Sequence, residues 1–249
     1  MQEDTLIQLR ASELFKITRR RTYTSSAGYR SDPVFNLRFV YNGAHDDALR
    51  GGGIYAIHYR GELLYAGIFT GSVIAKTSTP FAGNVAAERF WKHLDALTMR
   101  GGAVGFTDGN YDKACALPDH PLVEAIRCSV AQRGRNSVKS YPCKVQFACE
   151  HWEDFLRIEQ DPAVLDGFTF TYGRLSPDRY SPDISYQDLK TYLGEIEARI
   201  LDEMKPRCNL KFHKPDDSGL ALGPDFALWD GLRQAIKTPH LMTLAPDAH

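Results

Sequence analysis

The side chains with the most chemical potential in this 249-residue chain fall into three sets. Tyr55 closes the triplet GIY (53–55) and Tyr65 opens YAG (65–67), ten residues apart. Arg89 and His93 stand four apart within NVAAERFWKHLDALTMR (84–100), and Glu197 precedes Asn209 by twelve residues in a segment ending KPRCN (205–209). A phenol ordinarily titrates near pH ~10, so it accepts a proton only where an adjacent cation or metal-bound water favours the phenolate. A guanidinium is a planar, permanently charged fork for phosphate or carboxylate oxygens. An imidazole can relay a proton near neutrality, and a lone carboxylate suits a hard, hydrated divalent ion. Together these types supply proton transfer, anion binding and a metal ligand.

Positioning them requires a sheet and two helices. GIYAIHY (53–59) and ELLYAGIF (62–69) are rich in strand formers and flank Arg60-Gly61, a two-residue turn signal, so they predict a β-hairpin with the two phenols almost opposite each other. Residues 84–100 predict a helix with a Phe90, Leu94 and Leu97 stripe, Asn84 as N-cap and Gly101-Gly102 as the stop, which places Arg89 and His93 beside the stripe. SYQDLKTYLGEIEARILDEMK (185–205) predicts a second helix, with Ser185 and Asp188 as a capping box, Leu189, Leu193, Ile196 and Ile200 buried, and Pro206 ending it. Glu197 falls at the edge of that stripe. Elsewhere, residues 5–16 read as an irregular helix, RRRTYTSSAGYRSDP (19–33) as a loop or arm, and a helix starts at Pro121. The alternation of Cys143, Val145, Phe147 and Cys149 reads as a strand, followed by a short helix near 151–159, strand-like FTFTYG at 168–173 and a terminal helix at 225–237. The fold class expected is α+β, a small antiparallel sheet flanked by helices.

The ordered set GIY, YAG, Arg89 with His93, Glu197 and Asn209 resembles the GIY-YIG nuclease superfamily. The Glu-to-Asn interval and the KPRCN ending are similar to its excision-repair members, and that interval selects Glu197 over Glu195 and Glu203. The resemblance implies phosphodiester hydrolysis in DNA. Tyr55 and Tyr65 would handle the nucleophile's proton, Arg89 would clamp the scissile phosphate, and His93 would hydrogen-bond a phenol or phosphate or relay a proton. Glu197 would hold one Mg2+ or Mn2+ per active site, and Asn209 would position a tyrosine or the helix end. Two departures mark the chain: Arg89 lies twenty-two residues past Gly67, and Ile68 stands where a lysine is common. Enlarged loops with an Arg-x-x-x-His helix are similar to the type II restriction branch, which implies sequence-specific cutting of double-stranded DNA by a homo-oligomer. Alternatives are a nuclease for branched, damaged or modified DNA, and a catalytically silent DNA-binding module on the same fold. The expected organisation is one elaborated domain over 1–249: an N-terminal extension (1–50), a core (51–103 and 185–213), an insertion (104–184) and a C-terminal extension (214–249).

Composition bounds these expectations. The hydrophobic fraction of 43% and charged fraction of 24% are those of a folded domain. A net charge of −1 argues against a protein that coats nucleic acid non-specifically, because such binding runs on phosphate neutralisation. Basic groups occur locally at Arg19, Arg20 and Arg21, at Arg133, Arg135 and Lys139, and at Lys205, Arg207, Lys211 and Lys214. Five cysteines without a CxxC pair point to reduced structural thiols. No apolar run reaches the roughly 20 residues of a membrane span, and the polar start lacks signal-peptide character, so a cytoplasmic protein without membrane partners is expected. His45 with Asp46 and Asp47 is given no role.

Overall fold

The computed structural model describes residues 5–19, 34–70, 85–102, 104–129, 138–175, 186–210 and 226–238. In chain order these form β1 (Thr5–Arg10), α1 (Ala11–Leu14), β2 (Phe15–Arg19), β3 (Leu37–Tyr41), α2 (Asp46–Leu49), β4 (Gly53–Tyr59) and β5 (Glu62–Phe69). Then come α3 (Ala87–Thr98), β6 (Val104–Gly105), α4 (Asp108–Cys115), α5 (Pro121–Cys128), β7 (Val138–Lys139), α6 (Pro142–Glu150), α7 (Trp152–Arg157), α8 (Pro162–Asp166), β8 (Phe168–Arg174), α9 (Tyr186–Met204) and α10 (Phe226–Lys237). The fold is α+β, with a small antiparallel sheet flanked by helices. Two compact units divide it: one of Met1–Leu14, Gly43–Ala87 and Asp166–His249, the other of Phe15–Asn42 and Glu88–Leu165.

The first unit is built on an antiparallel sheet in the order β1-β8-β4-β5. Its hairpin forms as expected: Arg60 and Gly61 take φ of 48° and 86°, the positive values that a two-residue turn needs to follow the twist of its strands. Strand alternation sends Ile54, Ala56 and Ala66 to one face, where they meet Leu189, Tyr192, Leu193, Ile196, Ile200 and Leu201 of α9 and Leu232 and Ile236 of α10. Each leucine or isoleucine taken out of water there contributes roughly 1.5–3 kcal/mol, enough to fix the strand register. Two polar side chains on that face reach α10: Gln8 Nε2 donates to the Ala235 carbonyl at 3.4 Å, and His58 Nε2 lies 2.9 Å from the Ile236 carbonyl. Tyr55, Ile57, Phe170 and Tyr172 occupy the opposite face and are also buried.

The second unit pairs β2 with β3 antiparallel and β6 with β7 parallel, with α3 to α7 supplying most of its core. Buried Arg100 ties it together, donating from Nε to the Val34 carbonyl at 2.9 Å and from Nη1 to the Phe155 carbonyl at 2.7 Å.

Two expectations are corrected. Residues 5–16 are not a helix: Thr5–Arg10 is an edge strand, a single turn follows at Ala11–Leu14, and Phe15 begins β2. The leucine spacing mimics a helical stripe, but Ile7 and Leu9 share the face of Tyr172 while Leu6 and Gln8 turn to α10. Nor is 143–149 a strand. Pro142 occupies the first helical position after extended Tyr141, and burial follows Lys144, Val145, Phe147 and Ala148, a helical i, i+1, i+3, i+4 pattern. The helices at 84–100, 185–205 and 225–237 appear as α3, α9 and α10. Asn84, Ser185, Arg133, Arg135, Lys211, Lys214 and the arm at 20–33 lie outside the described residues. No helix among the described residues is long and apolar enough to cross a membrane.

Candidate active site

A regular hairpin turning at residues 60–61 would pair residue 55 with 66 and 56 with 65, putting the two phenols on opposite faces. The observed register brings them to one face, as expected, but by a different route. Tyr59 pairs with Glu62 and His58 with Leu63, but Ile57 pairs with Tyr65 and Tyr55 with Gly67, so Leu64 is the extra residue of a β-bulge. The one-residue slip turns Tyr65 onto the face of Tyr55. Their rings stack with centroids 6.1 Å apart and planes 23° from parallel. Gly67 lies directly beneath: a Cβ there would come within 2.8 Å of Tyr55 Oη and 2.9 Å of the Tyr65 ring, so the phenols close over a position that only glycine fills. Tyr55 is buried and Tyr65 half-buried.

Strand β5 is a sheet edge, and the chain leaving α9 closes it. Lys205 takes a positive φ of 46°, Pro206 forbids further helix, and the Arg207 and Cys208 amides donate to the carbonyls of Leu63 and Leu64 at 3.2 and 2.7 Å. Asn209 completes the edge with its side chain, accepting from the Ala66 amide at 3.0 Å and donating to the Ala66 carbonyl at 2.8 Å. One amide group thus stands in for a strand residue, holding the bulged backbone just past Tyr65, while Cys208 holds it just before. The Glu197-to-Asn209 interval acquires a physical meaning: two helical turns to Met204, a break at Lys205-Pro206, then the edge pairing.

Of the carboxylates on α9, Glu203 is committed to structure, since Lys237 and Arg233 of α10 lie 2.7 and 2.6 Å away and hold its pKa down. Glu195 is buried. Glu197 is half-buried beside Leu193, and burial alone pushes its carboxyl up to about 7, with no cation among the described residues to offset it. An isolated carboxylate drawn partly out of water favours either a proton or a bound cation. Among the described residues no three His, Cys, Asp or Glu side chains come together. A divalent ion held there would take Glu197 as its carboxylate ligand and water or substrate oxygens otherwise, the coordination that a hard, hydrated ion accepts.

Arg89 and His93 belong to the second unit, four apart on α3, with Arg89 exposed and His93 half-buried. Burial holds the imidazole well below its ordinary pKa, and the positive charges of Lys144, Arg89 and Lys92 act in the same direction. His93 is therefore neutral at physiological pH, with one ring nitrogen able to donate and the other to accept. Lys144 is a buried amine at the start of α6, 5.6 Å over the Tyr141 ring, and Lys92 lies 5.5 Å over the Trp91 ring. What this unit contributes is a set of cations around a neutral base.

The first unit thus brings Tyr55, Tyr65 and Asn209 together at the hairpin and carries Glu197 on a helix packed against it, while Arg89 and His93 form a separate set in the second. Lys92 and Lys144 were missed in the sequence; the i+3 spacing of Lys92 from Arg89 was a usable signal, whereas Lys144 was hidden by reading its helix as a strand. No family model, no curated protein and no solved structure matches the chain.

Proposed function

We propose that the chain is a Mg2+- or Mn2+-dependent DNA endonuclease of the GIY-YIG type, acting on double-stranded DNA as a restriction-type enzyme that works as a homo-oligomer. The observation that carries the proposal is the phenol pair of Tyr55 and Tyr65 closed over Gly67, on a strand edge latched by Asn209. That arrangement gives GIY, YAG and the distant asparagine one mechanical purpose. It holds two phenols rigidly against each other, so that the attacking oxygen's proton has a fixed acceptor or relay.

The remaining candidate residues are of the chemical types that hydrolysis of a phosphodiester further needs. Glu197 would hold the divalent ion, which when bound supplies charge neutralisation at the phosphoryl oxygens and lowers the pKa of water. Arg89 presents a permanent charge to a phosphate oxygen. His93, kept neutral by burial and by its cationic neighbours, would donate or accept a hydrogen bond at a phenol or a phosphate oxygen.

The test is incubation of the purified chain with Mg2+ and a mixture of unmethylated DNAs, followed by sequencing of the ends. Discrete bands with a shared end sequence are expected, and Arg89→Ala should abolish them while leaving the fold intact. Absence of any cutting across enzyme dose, on plain, forked and modified DNA alike, refutes the proposal. Cutting confined to forked or modified DNA would retain the nuclease and reject the restriction role.

A further inference from the structure

The phenol-bearing face of the sheet holds a third tyrosine that the Tyr55 and Tyr65 pair does not account for. Tyr172 of β8 is fully buried and is the direct register partner of Tyr55. Its hydroxyl donates to the Gly51 carbonyl at 2.7 Å, and burial keeps the phenol protonated. Its ring lies over Gly53, where a Cβ would come within 2.9 Å of two ring atoms and 2.4 Å of the Gly173 carbonyl. The end of β8 and the residue after it grip the same segment: Arg174 donates to the Asp47 carbonyl, and the Leu175 amide donates to the Gly52 carbonyl at 3.0 Å.

The two glycines of GIY and YAG therefore have parallel uses. Gly53 receives the ring of Tyr172 and Gly67 the ring of Tyr55, so that Tyr172, Tyr55 and Tyr65 run in sequence across three adjacent strands. Gly53 and Tyr55 are two residues apart on one strand, and whatever sets the height of Gly53 sets the base of the Tyr55 side chain.

We propose that Tyr172 is a positioning residue for the Tyr55 phenol, acting through its bond to Gly51 and its ring contact over Gly53. The catalytic consequence rests on the endonuclease reading; the geometric one does not. A reacting group displaced by about 1 Å can lose on the order of 100-fold in rate, so even a partial shift of Tyr55 has a measurable effect on turnover.

The experiment compares Tyr172→Phe with Thr171→Val. Both sites are fully buried and adjacent, and each variant loses one hydroxyl hydrogen bond, but Thr171 Oγ1 bonds Gln8 on the opposite face, 3.1 Å away. Two readouts are taken: cleavage kinetics in Mg2+, and the ring-carbon NMR signals of Tyr55 and Tyr65 in protein labelled at tyrosine Cζ. Tyr172→Phe is expected to lower kcat about tenfold or more with KM unchanged and to move both signals, whereas Thr171→Val keeps kcat within about twofold and leaves them in place. Unmoved signals in Tyr172→Phe, or equal changes in the two variants, would overturn the assignment. If the wild-type chain cuts no DNA, the endonuclease reading fails on its own and the NMR comparison still decides whether Tyr172 positions Tyr55.

Discussion

Replacing Glu197 by glutamine should make the protein more stable at pH 8, against the usual direction for a buried polar substitution. The carboxyl is pushed by burial from its ordinary 4.5 to about 7. At about 1.4 kcal/mol per pH unit this amounts to a penalty of about 3 kcal/mol on the charged form. Glu197 is only half-buried, and screening by water reduces the expected effect to about 1–2 kcal/mol. The sign follows from proton linkage. With the folded pKa above the unfolded one, the folded chain holds the extra proton between pH 4.5 and about 7, so stability falls as pH rises through that window and levels off above it. Glutamine carries no charge and abolishes this slope. The difference between variant and wild type, taken by thermal or urea unfolding at pH 5 and pH 8, removes the contributions of other titrating groups such as His93. The variant should melt about 2–8 °C higher at pH 8, at about 2–4 °C per kcal/mol for a chain of this size, and at pH 5, just above the ordinary 4.5, higher by no more than about half that gap. Millimolar Mg2+ should narrow the gap at pH 8 by stabilising the wild type alone. A variant that is less stable at pH 8, or a gap insensitive to pH, would refute the view of Glu197 as an uncompensated carboxylate; a variant that cleaves DNA normally would refute its role as metal ligand.

Gly67→Ala forces a methyl to within 2.8 Å of Tyr55 Oη; the chain should fold with a loss of about 1–3 kcal/mol, while the phenol pair is pushed apart and cleavage falls more than stability does. Asn209→Ala leaves the Ala66 amide and carbonyl without their side-chain partners, which should cost about 1–3 kcal/mol in urea unfolding and speed hydrogen exchange at Ala66. Lys144→Met removes the largest of the charges acting on His93, so the imidazole pKa should rise, read from histidine nitrogen shifts over a pH series; an unchanged titration would show that burial alone sets it.

How much of this was legible in sequence depended on whether the deciding contact was local. The hairpin was readable because Arg60-Gly61 sits between two runs of strand formers, and α9 because its leucine and isoleucine stripe repeats over nineteen residues. Strand β1 was misread because its partner, β8, lies more than 150 residues away, and only that pairing distinguishes an edge strand carrying leucines from a helical stripe. The same long range hid Tyr172: FTFTYG reads as a strand from composition, but its place beside Tyr55 comes from the β4–β8 register. For the candidate site, the resemblance of the ordered motifs singled out Tyr55, Tyr65, Glu197 and Asn209 as candidates. It did not show that Asn209 grips Ala66 across 143 residues, or that Glu203 is occupied by α10.

The phenol pair carries the sharpest lesson, because its ten-residue spacing is the wrong parity for an unbroken hairpin. With the turn at 60–61, regular pairing would place Tyr65 beside Ala56, among the residues that α9 and α10 cover. The bulge at Leu64 reverses this, and it is stabilised from outside the hairpin: Cys208 donates to the Leu64 carbonyl, and Asn209 holds Ala66 one residue past Tyr65. The segment after the Glu197 helix is therefore what makes the register of the hairpin tenable, and the hairpin is what brings the two phenols to one face. A motif written as two triplets and a distant asparagine is, physically, one object. The asparagine closes the edge, the closed edge tolerates the bulge, and the bulge turns Tyr65 toward Tyr55.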